Sequence, residues 1–261
     1  MRVIELLPRL HMFDFPIGHA YLWASADGLT LIDTSLPGSA PELAAAIEEL
    51  GHRRSDLRRL LLTHSHQDHA GSAADVAAWG DDITVYAHRA DAPVIRGEAP
   101  GPAPELADWE RPLFDQVHSR IPPVPPAPVR VDRELDDGDL IELGDGVRAV
   151  ALAVPGHTPG SIAFHLPEPR VLFTGDTIAR GPDGEVILGV FNVDPVQAIT
   201  SFRRQARLDT EIVCFGHGQP LTENASTRLR AAAGLLSSVR ARSTAGRHDA
   251  PASPGSSPGT R

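Results

Sequence analysis

The feature that most constrains this chain is the segment LLTHSHQDHAGS, residues 61–72, which places His64, His66, Asp68 and His69 within six positions. A single helix or strand cannot direct all four side chains to one side, because those elements repeat every 3.6 and every 2 residues. A loop between the strand RRLLLT and the helix AGSAAD can aim the first two at one point and the last two at a neighbouring point. Imidazole and carboxylate are ligands that zinc prefers. The alternative is a polar loop with coincidental histidines, but the density of donors favours a metal site.

Three further potential ligands follow apolar strands elsewhere in the chain: His157 in AVPGHTPGS, Asp176 in VLFTGDT and His217 in IVCFGHGQP. Each of them alone is a weak signal, because Gly-Asp and Gly-His are common turn pairs. Together they repeat one arrangement, in which an apolar strand delivers a single His or Asp into a glycine-rich loop. We therefore expect these three side chains to join the first four.

Strands and helices are predicted to recur in two similar halves. The first half begins with a hairpin around Asp27-Gly28 and continues as helix, strand, helix and strand. A proline-rich loop at residues 91–130, with a short helix near ELADWERPLFDQV, separates it from a second run of strands. A helix at 194–208, a strand near Cys214 and a last helix from about Glu223 to Arg240 follow. This order predicts an α/β (α+β) chain whose two sheets pack face to face with helices outside.

Composition limits the possible partners and compartments. The net charge of −10 argues against a nucleic-acid partner, because binding phosphates requires a basic surface. No apolar run approaches membrane-spanning length, and the N-terminus, broken by Pro8 and Arg9, does not resemble a signal peptide. Cys214, the only cysteine, is predicted to lie in the core. These features predict a cytoplasmic protein with a small-molecule substrate and no membrane partner; they leave its oligomeric state open.

The motifs HSHQDH, GHTPGS, TGDT and GHG, in this order, resemble those of the metallo-β-lactamase-fold hydrolases. The resemblance covers about residues 18–234 and implies a four-layer αββα sandwich with a dinuclear zinc site at one edge of the sheets. It also implies that His64, His66 and His157 hold one metal, that Asp68, His69 and His217 hold the second, and that Asp176 bridges them. Glyoxalase II has similar motifs, but the helical domain with which it binds glutathione is not expected here. The hydrolase domain is predicted to span residues 1–242, and the polar segment 243–261 to be a disordered tail.

The expected reaction is hydrolysis of an ester, thioester, lactone or amide bond of a small metabolite. Two divalent ions about 3.5–4 Å apart can share a hydroxide that attacks a carbonyl. Asp68 and Asp176 are the candidate catalytic residues, with Asp68 or a metal-bound water as the proton carrier. The alternative is a mononuclear iron sulfur dioxygenase of the same fold, with one iron held by His64, His157 and Asp176. A metal-binding scaffold without turnover is a third possibility.

Several other residues are candidates for roles around the site. Asp33 ends a strand and is interpreted either as a turn residue or as a group that orients the histidine loop. His19 and His118 are candidates for the pocket lining. Its walls are expected from the proline-rich loop, with Trp109, Leu113 and Phe114 as apolar candidates, and from residues 184–195.

Overall fold

A computed structural model describes residues 1–121 and 124–245. Its first sheet has seven strands in chain order, of which β1 to β4 pair antiparallel and β4 to β7 pair parallel. The strands are β1 (Arg2–Leu7), β2 (Leu10–Asp14), β3 (Ala20–Ser25), β4 (Gly28–Ile32), β5 (Leu57–Leu61), β6 (Thr84–His88) and β7 (Arg133–Leu135). The predicted hairpin around Asp27 is the β3–β4 pair.

The second sheet has five strands in the order β14, β11, β10, β9, β8, and only the β11–β14 pair is parallel. Its strands are β8 (Leu140–Gly144), β9 (Val147–Ala153), β10 (Ile162–Leu166), β11 (Val171–Phe173) and β14 (Ile212–Cys214). A separate antiparallel hairpin, which the sequence analysis missed, consists of β12 (Ile178–Arg180) and β13 (Val186–Leu188).

The described residues form seven α-helices, several of which pack on the outer faces of the two sheets. They are α1 (Ala40–Glu49), α2 (Gln67–Ala70), α3 (Ala73–Ala77), α4 (Ala92–Ile95), α5 (Glu110–His118), α6 (Pro195–Gln205) and α7 (Ala225–Ala245). Helix α6 begins where its sequence predicts, because the Asp194 carboxylate caps it by accepting a hydrogen bond from the backbone N–H of Gln197.

The period of two residues along a strand divides the core into layers. On β3, Tyr21 and Trp23 face the second sheet, whereas Leu22 faces the layer that contains Leu43 of α1. On the far side, Phe202 of α6 packs against the outer face of the second sheet. These layers form the αββα sandwich that the sequence predicts. Cys214 is buried between the sheets, as expected for a core residue, and burial raises the pKa of its thiol.

The structure differs from the sequence prediction in three helical regions. The single helix expected after His69 is two short helices, because the chain turns at Gly71 and Ser72. There the backbone N–H of Gly71 donates to the carbonyl of Ser35, and the hydroxyl of Ser72 donates to the carbonyl of Leu36. The proline-rich segment contains α4 as well as the expected helix α5. The last helix extends to Ala245, three residues into the predicted tail, whose remaining residues 246–261 lie outside the described part of the chain.

No helix within the described residues combines the length and the apolar character needed to cross a membrane.

Candidate metal centre

The seven predicted ligands come from one edge of the sandwich, where parallel strands end together. In the first sheet, β5 runs parallel to β4 and β6, and its carboxyl end leads into residues 64–69. In the second sheet, β9, β11 and β14 share one direction, because β10 runs antiparallel to both β9 and β11 while β14 runs parallel to β11. The carboxyl ends of these three strands lead to His157, Asp176 and His217 in turn. The two sheets therefore bring the donors together from opposite sides of the core.

His64, His66 and His157 form the first group. Nδ1 of His66 lies 3.1 Å from Nε2 of His64 and 2.9 Å from Nε2 of His157. Burial and the neighbouring histidines lower the pKa of His64 well below its ordinary value, and burial lowers that of His157 to about 3. These imidazoles are therefore neutral at pH 7, the state in which histidine offers a lone pair to a metal.

Asp68, His69, Asp176 and His217 form the second group. Nε2 of His217 lies 3.1 Å from Asp176 Oδ2 and 3.2 Å from Asp68 Oδ2, and Nε2 of His69 lies 3.2 Å from Asp176 Oδ1. Burial opposes protonation of His217, but the two carboxylates outweigh it and raise its pKa to about 10. This group therefore retains protons that a divalent cation would displace on binding.

The donor atoms fit metal ions. Zinc–nitrogen bonds of 2.0–2.1 Å in a tetrahedral site place ligand atoms about 3.3 Å apart, close to the nitrogen separations of 2.9 and 3.1 Å in the first group. Within each group the donor atoms all lie within 4.8 Å of one another. In the second group, the buried atoms His69 Nε2 and Asp176 Oδ1 lie 3.2 Å apart, but neither forms a well-directed hydrogen bond with a described residue. Buried polar atoms without a well-directed hydrogen bond are costly unless they bind a ligand.

Asp33 fixes the orientation of two of these histidines. Its Oδ2 lies 2.9 Å from Nδ1 of His69 and accepts a hydrogen bond of 2.7 Å from the hydroxyl of Thr63. Because that hydroxyl proton is directed at Asp33, Oγ1 of Thr63 is left to accept from Nδ1–H of His64, at 3.0 Å. Both imidazoles then direct Nε2, the atom that would bind a metal, toward the centre. Of the two interpretations of Asp33, the structure favours orientation of the histidine loop, although its φ of 57° also places it in a tight turn.

Asp91 is a buried residue of the site that the sequence analysis missed. One carboxylate oxygen accepts from the backbone N–H of Ser65 and the hydroxyl of Thr158, and the other accepts from the N–H of Gly160, all at 2.8 Å. It thereby ties the loop of His64 and His66 to the loop of His157. The one sequence signal that could have found it is its position three residues after β6, in the same strand-end pattern as the ligands.

A cavity of about 860 Å³ opens onto the candidate metal centre and is lined by five of the seven predicted ligands. Its walls come from the two segments that the sequence analysis proposed, and Leu113, Phe114 and His118 are among the lining residues. The expectation for Trp109 is wrong, because its side chain is 66% exposed and lies outside the lining. His19 also lies outside the lining, buried with its ring centroid 6.4 Å from that of His217.

The chain resembles known proteins in both sequence and structure. A family model described as the metallo-beta-lactamase superfamily matches residues 14–217. The chain is 28% identical over 263 residues to the probable metallo-hydrolase YflN of Bacillus subtilis, with 90% of this chain and 94% of that protein covered. It is 32% identical over 202 residues to a hydroxyacylglutathione hydrolase of Ruegeria pomeroyi, with 76% of this chain but only 62% of that protein covered. A solved metallo-beta-lactamase family protein from Thermus thermophilus superposes with a TM-score of 0.65 and 26% identity, covering 92% of this chain and 82% of that one.

Proposed function

Because this chain belongs to the metallo-β-lactamase superfamily of metal-dependent hydrolases, we propose that it is a dinuclear zinc enzyme that hydrolyses an acyl bond of a small metabolite. The bond is an ester, thioester, lactone or amide. The two groups of donors support two metal ions rather than one, since His64, His66 and His157 cluster separately from Asp68, His69, Asp176 and His217.

The position of Asp176 is the observation that carries this proposal. Its Oδ2 lies 3.6 Å from Nε2 of His157 in the first group and 3.1 Å from Nε2 of His217 in the second. A carboxylate has two oxygens, so Asp176 can serve both groups at once and hold two ions close together. Its negative charge also offsets part of the positive charge that two dications bring into a buried site.

When bound, a pair of zinc ions lowers the pKa of water and polarises a carbonyl oxygen, so that hydrolysis proceeds near neutral pH. The residues supply the remaining functions. Asp33 holds Nε2 of His64 and His69 toward the centre, and Asp91 holds the two histidine loops together. Asp68 and Asp176 are the only acidic side chains among the described residues that line the cavity. With Asp176 between the groups, Asp68 is the residue placed to hold a proton and pass it to the leaving group.

The proposal is tested by stripping the protein of metal, restoring zinc and assaying a panel of 4-nitrophenyl esters, acyl thioesters, lactones and β-lactams. We expect zinc-dependent hydrolysis of at least one class. His66→Ala should remove nearly all of this activity and lower the zinc content. His52→Ala is the matched control, because His52 lies outside both groups and should leave activity and metal content unchanged. Full activity and full zinc content in His66→Ala would contradict the proposal.

A mononuclear iron sulfur dioxygenase is the alternative, with His64, His157 and Asp176 as ligands. Metal analysis of protein purified without added metal separates the two. About two zinc ions per chain support the hydrolase, whereas about one iron per chain, with oxygen uptake and no hydrolysis, supports the dioxygenase.

A further inference from the structure

The cavity beside the candidate metal centre is apolar over most of its wall. Beyond the predicted ligands its surface is formed mainly by aliphatic, aromatic and proline side chains from α4, α5, the proline-rich segment and the β12–β13 region. Among them are Val94, Leu113, Phe114, Val117, Ile121 and Phe191. Its volume of about 860 Å³ lies in the upper part of the range of about 300–1,000 Å³ found for small-molecule sites. The space is larger than an acetyl-sized group requires.

Few charges face this space. Arg120 and Arg180 are the only cationic side chains lining it within the described part of the chain, apart from histidines. The guanidinium of Arg180 already donates to the backbone carbonyls of Gly184 and Pro220, at 3.1 Å each. Arg120 is exposed to solvent. The interior therefore offers little to stabilise a carboxylate or phosphate away from the ligands, and it favours an apolar occupant.

The two walls of the cavity are fastened to each other. Glu110 is buried at the start of α5, where its carboxylate accepts hydrogen bonds from the N–H groups of Ala107 and Phe191, at 2.9 and 3.0 Å. The ring of Phe191 packs edge-on against Phe114, with centroids 5.1 Å apart. These contacts hold the apolar walls in place, so that the cavity is largely formed before a ligand enters.

We infer that this cavity holds the acyl part of the substrate, and that this part is an aliphatic chain longer than an acetyl group. The inference rests on the proposed hydrolase function, since it places the scissile carbonyl beside Asp68, Asp176 and the histidines. The apolar chain then extends from the metal centre toward Val94 and Val117, where each buried methylene is removed from water.

The test uses 4-nitrophenyl esters from acetate to decanoate with the zinc-loaded full chain. Burial of each methylene should raise kcat/KM by about fourfold along the series. Val117→Asp should lower the octanoate-to-acetate ratio of kcat/KM at least tenfold, because it places a charge in the apolar wall. Val196→Asp is the matched control, since Val196 is 51% exposed on α6 and lies outside the cavity. Its ratio should equal that of the wild type.

A second measurement does not depend on turnover. Binding of primary alcohols from butanol to decanol to the metal-free wild type, measured by calorimetry, should strengthen with chain length. Hydrolysis with no rise in kcat/KM along the ester series would overturn the inference and leave the hydrolase standing. Absence of hydrolysis for every ester, thioester, lactone and β-lactam of the panel would overturn the hydrolase and with it the acyl assignment, whereas alcohol binding that strengthens with length would still identify the cavity as a site for an aliphatic chain. If Val117→Asp does not fold, the wild-type ester series decides the inference by itself.

Discussion

Oδ2 of Asp33 lies 2.9 Å from Nδ1 of His69, and both side chains are buried. The same oxygen accepts the hydroxyl proton of Thr63, whose Oγ1 contacts Nδ1 of His64. One carboxylate therefore sets the tautomer of a histidine in each group of predicted ligands. A residue that touches neither centre directly thus controls how both present their donor atoms.

Asp33→Asn should weaken metal binding by about 10- to 100-fold. The Asp33 carboxylate accepts hydrogen bonds from three donors, whereas the amide of asparagine has only one acceptor oxygen. Titration of the metal-free protein with zinc measures the effect. Asp75→Asn, on the exposed face of α3, is the control and should bind zinc like the wild type. Equal affinity in both variants would show that Asp33 is only a turn residue.

Asp91→Ala should lower the free energy of unfolding by about 3 kcal/mol or more, because it leaves three donors from two loops without their shared acceptor. Denaturant unfolding of the metal-free protein measures this loss. Asp194→Ala, which removes one helix cap on α6, should cost only about 1 kcal/mol. A smaller loss in Asp91→Ala than in Asp194→Ala would contradict the role given to Asp91.

Gly160→Ala should also lower the free energy of unfolding, since its added Cβ would lie 2.5 Å from Asp91 Oδ1.

Gly216→Ala should displace a predicted ligand without an effect on the rest of the fold. An added Cβ would lie 1.9 Å from Asp176 Oδ1 and 2.6 Å from Cε1 of His69. We expect at least a tenfold fall in kcat with a far-ultraviolet circular dichroism spectrum like that of the wild type. Gly234→Ala on α7 has open space around it and should retain full activity. A wild-type kcat in Gly216→Ala would show that catalysis does not depend on the position of the Asp176 carboxylate.

The ligand motifs could be predicted from sequence because strand-end donors are local features. A short apolar strand followed by His or Asp and a glycine is visible in a few consecutive residues, as at Asp176 and His217. The order of strands and helices likewise indicates two sheets, since period-two strands and capped helices are local signals. Those signals are sufficient for the αββα architecture.

Features that depend on distant contacts could not be predicted in the same way. The role of Asp91 comes from Ser65, Thr158 and Gly160, which lie 26, 67 and 69 positions away. Trp109 is a candidate for the pocket lining because it is a large aromatic residue. However, α5 begins at Glu110, whose buried carboxylate orients this segment so that the indole of Trp109 lies in solvent. The hairpin of β1 and β2 is not evident from the sequence, because Pro8 and Arg9 interrupt the apolar pattern; in the structure they form its turn.

The count of metal ions bound by the wild type and by Asp176→Asn tests the dinuclear hydrolase most directly. Asp176 lies within reach of both groups, at 3.6 Å from His157 and 3.1 Å from His217. Asparagine keeps the volume but removes the charge that offsets two dications. After reconstitution with zinc and removal of excess metal, elemental analysis should find about two ions per wild-type chain and about one per Asp176→Asn chain, with kcat lower by at least a hundredfold. Two tightly bound ions and near wild-type hydrolysis in Asp176→Asn would contradict the account, as would a wild type that never binds more than one.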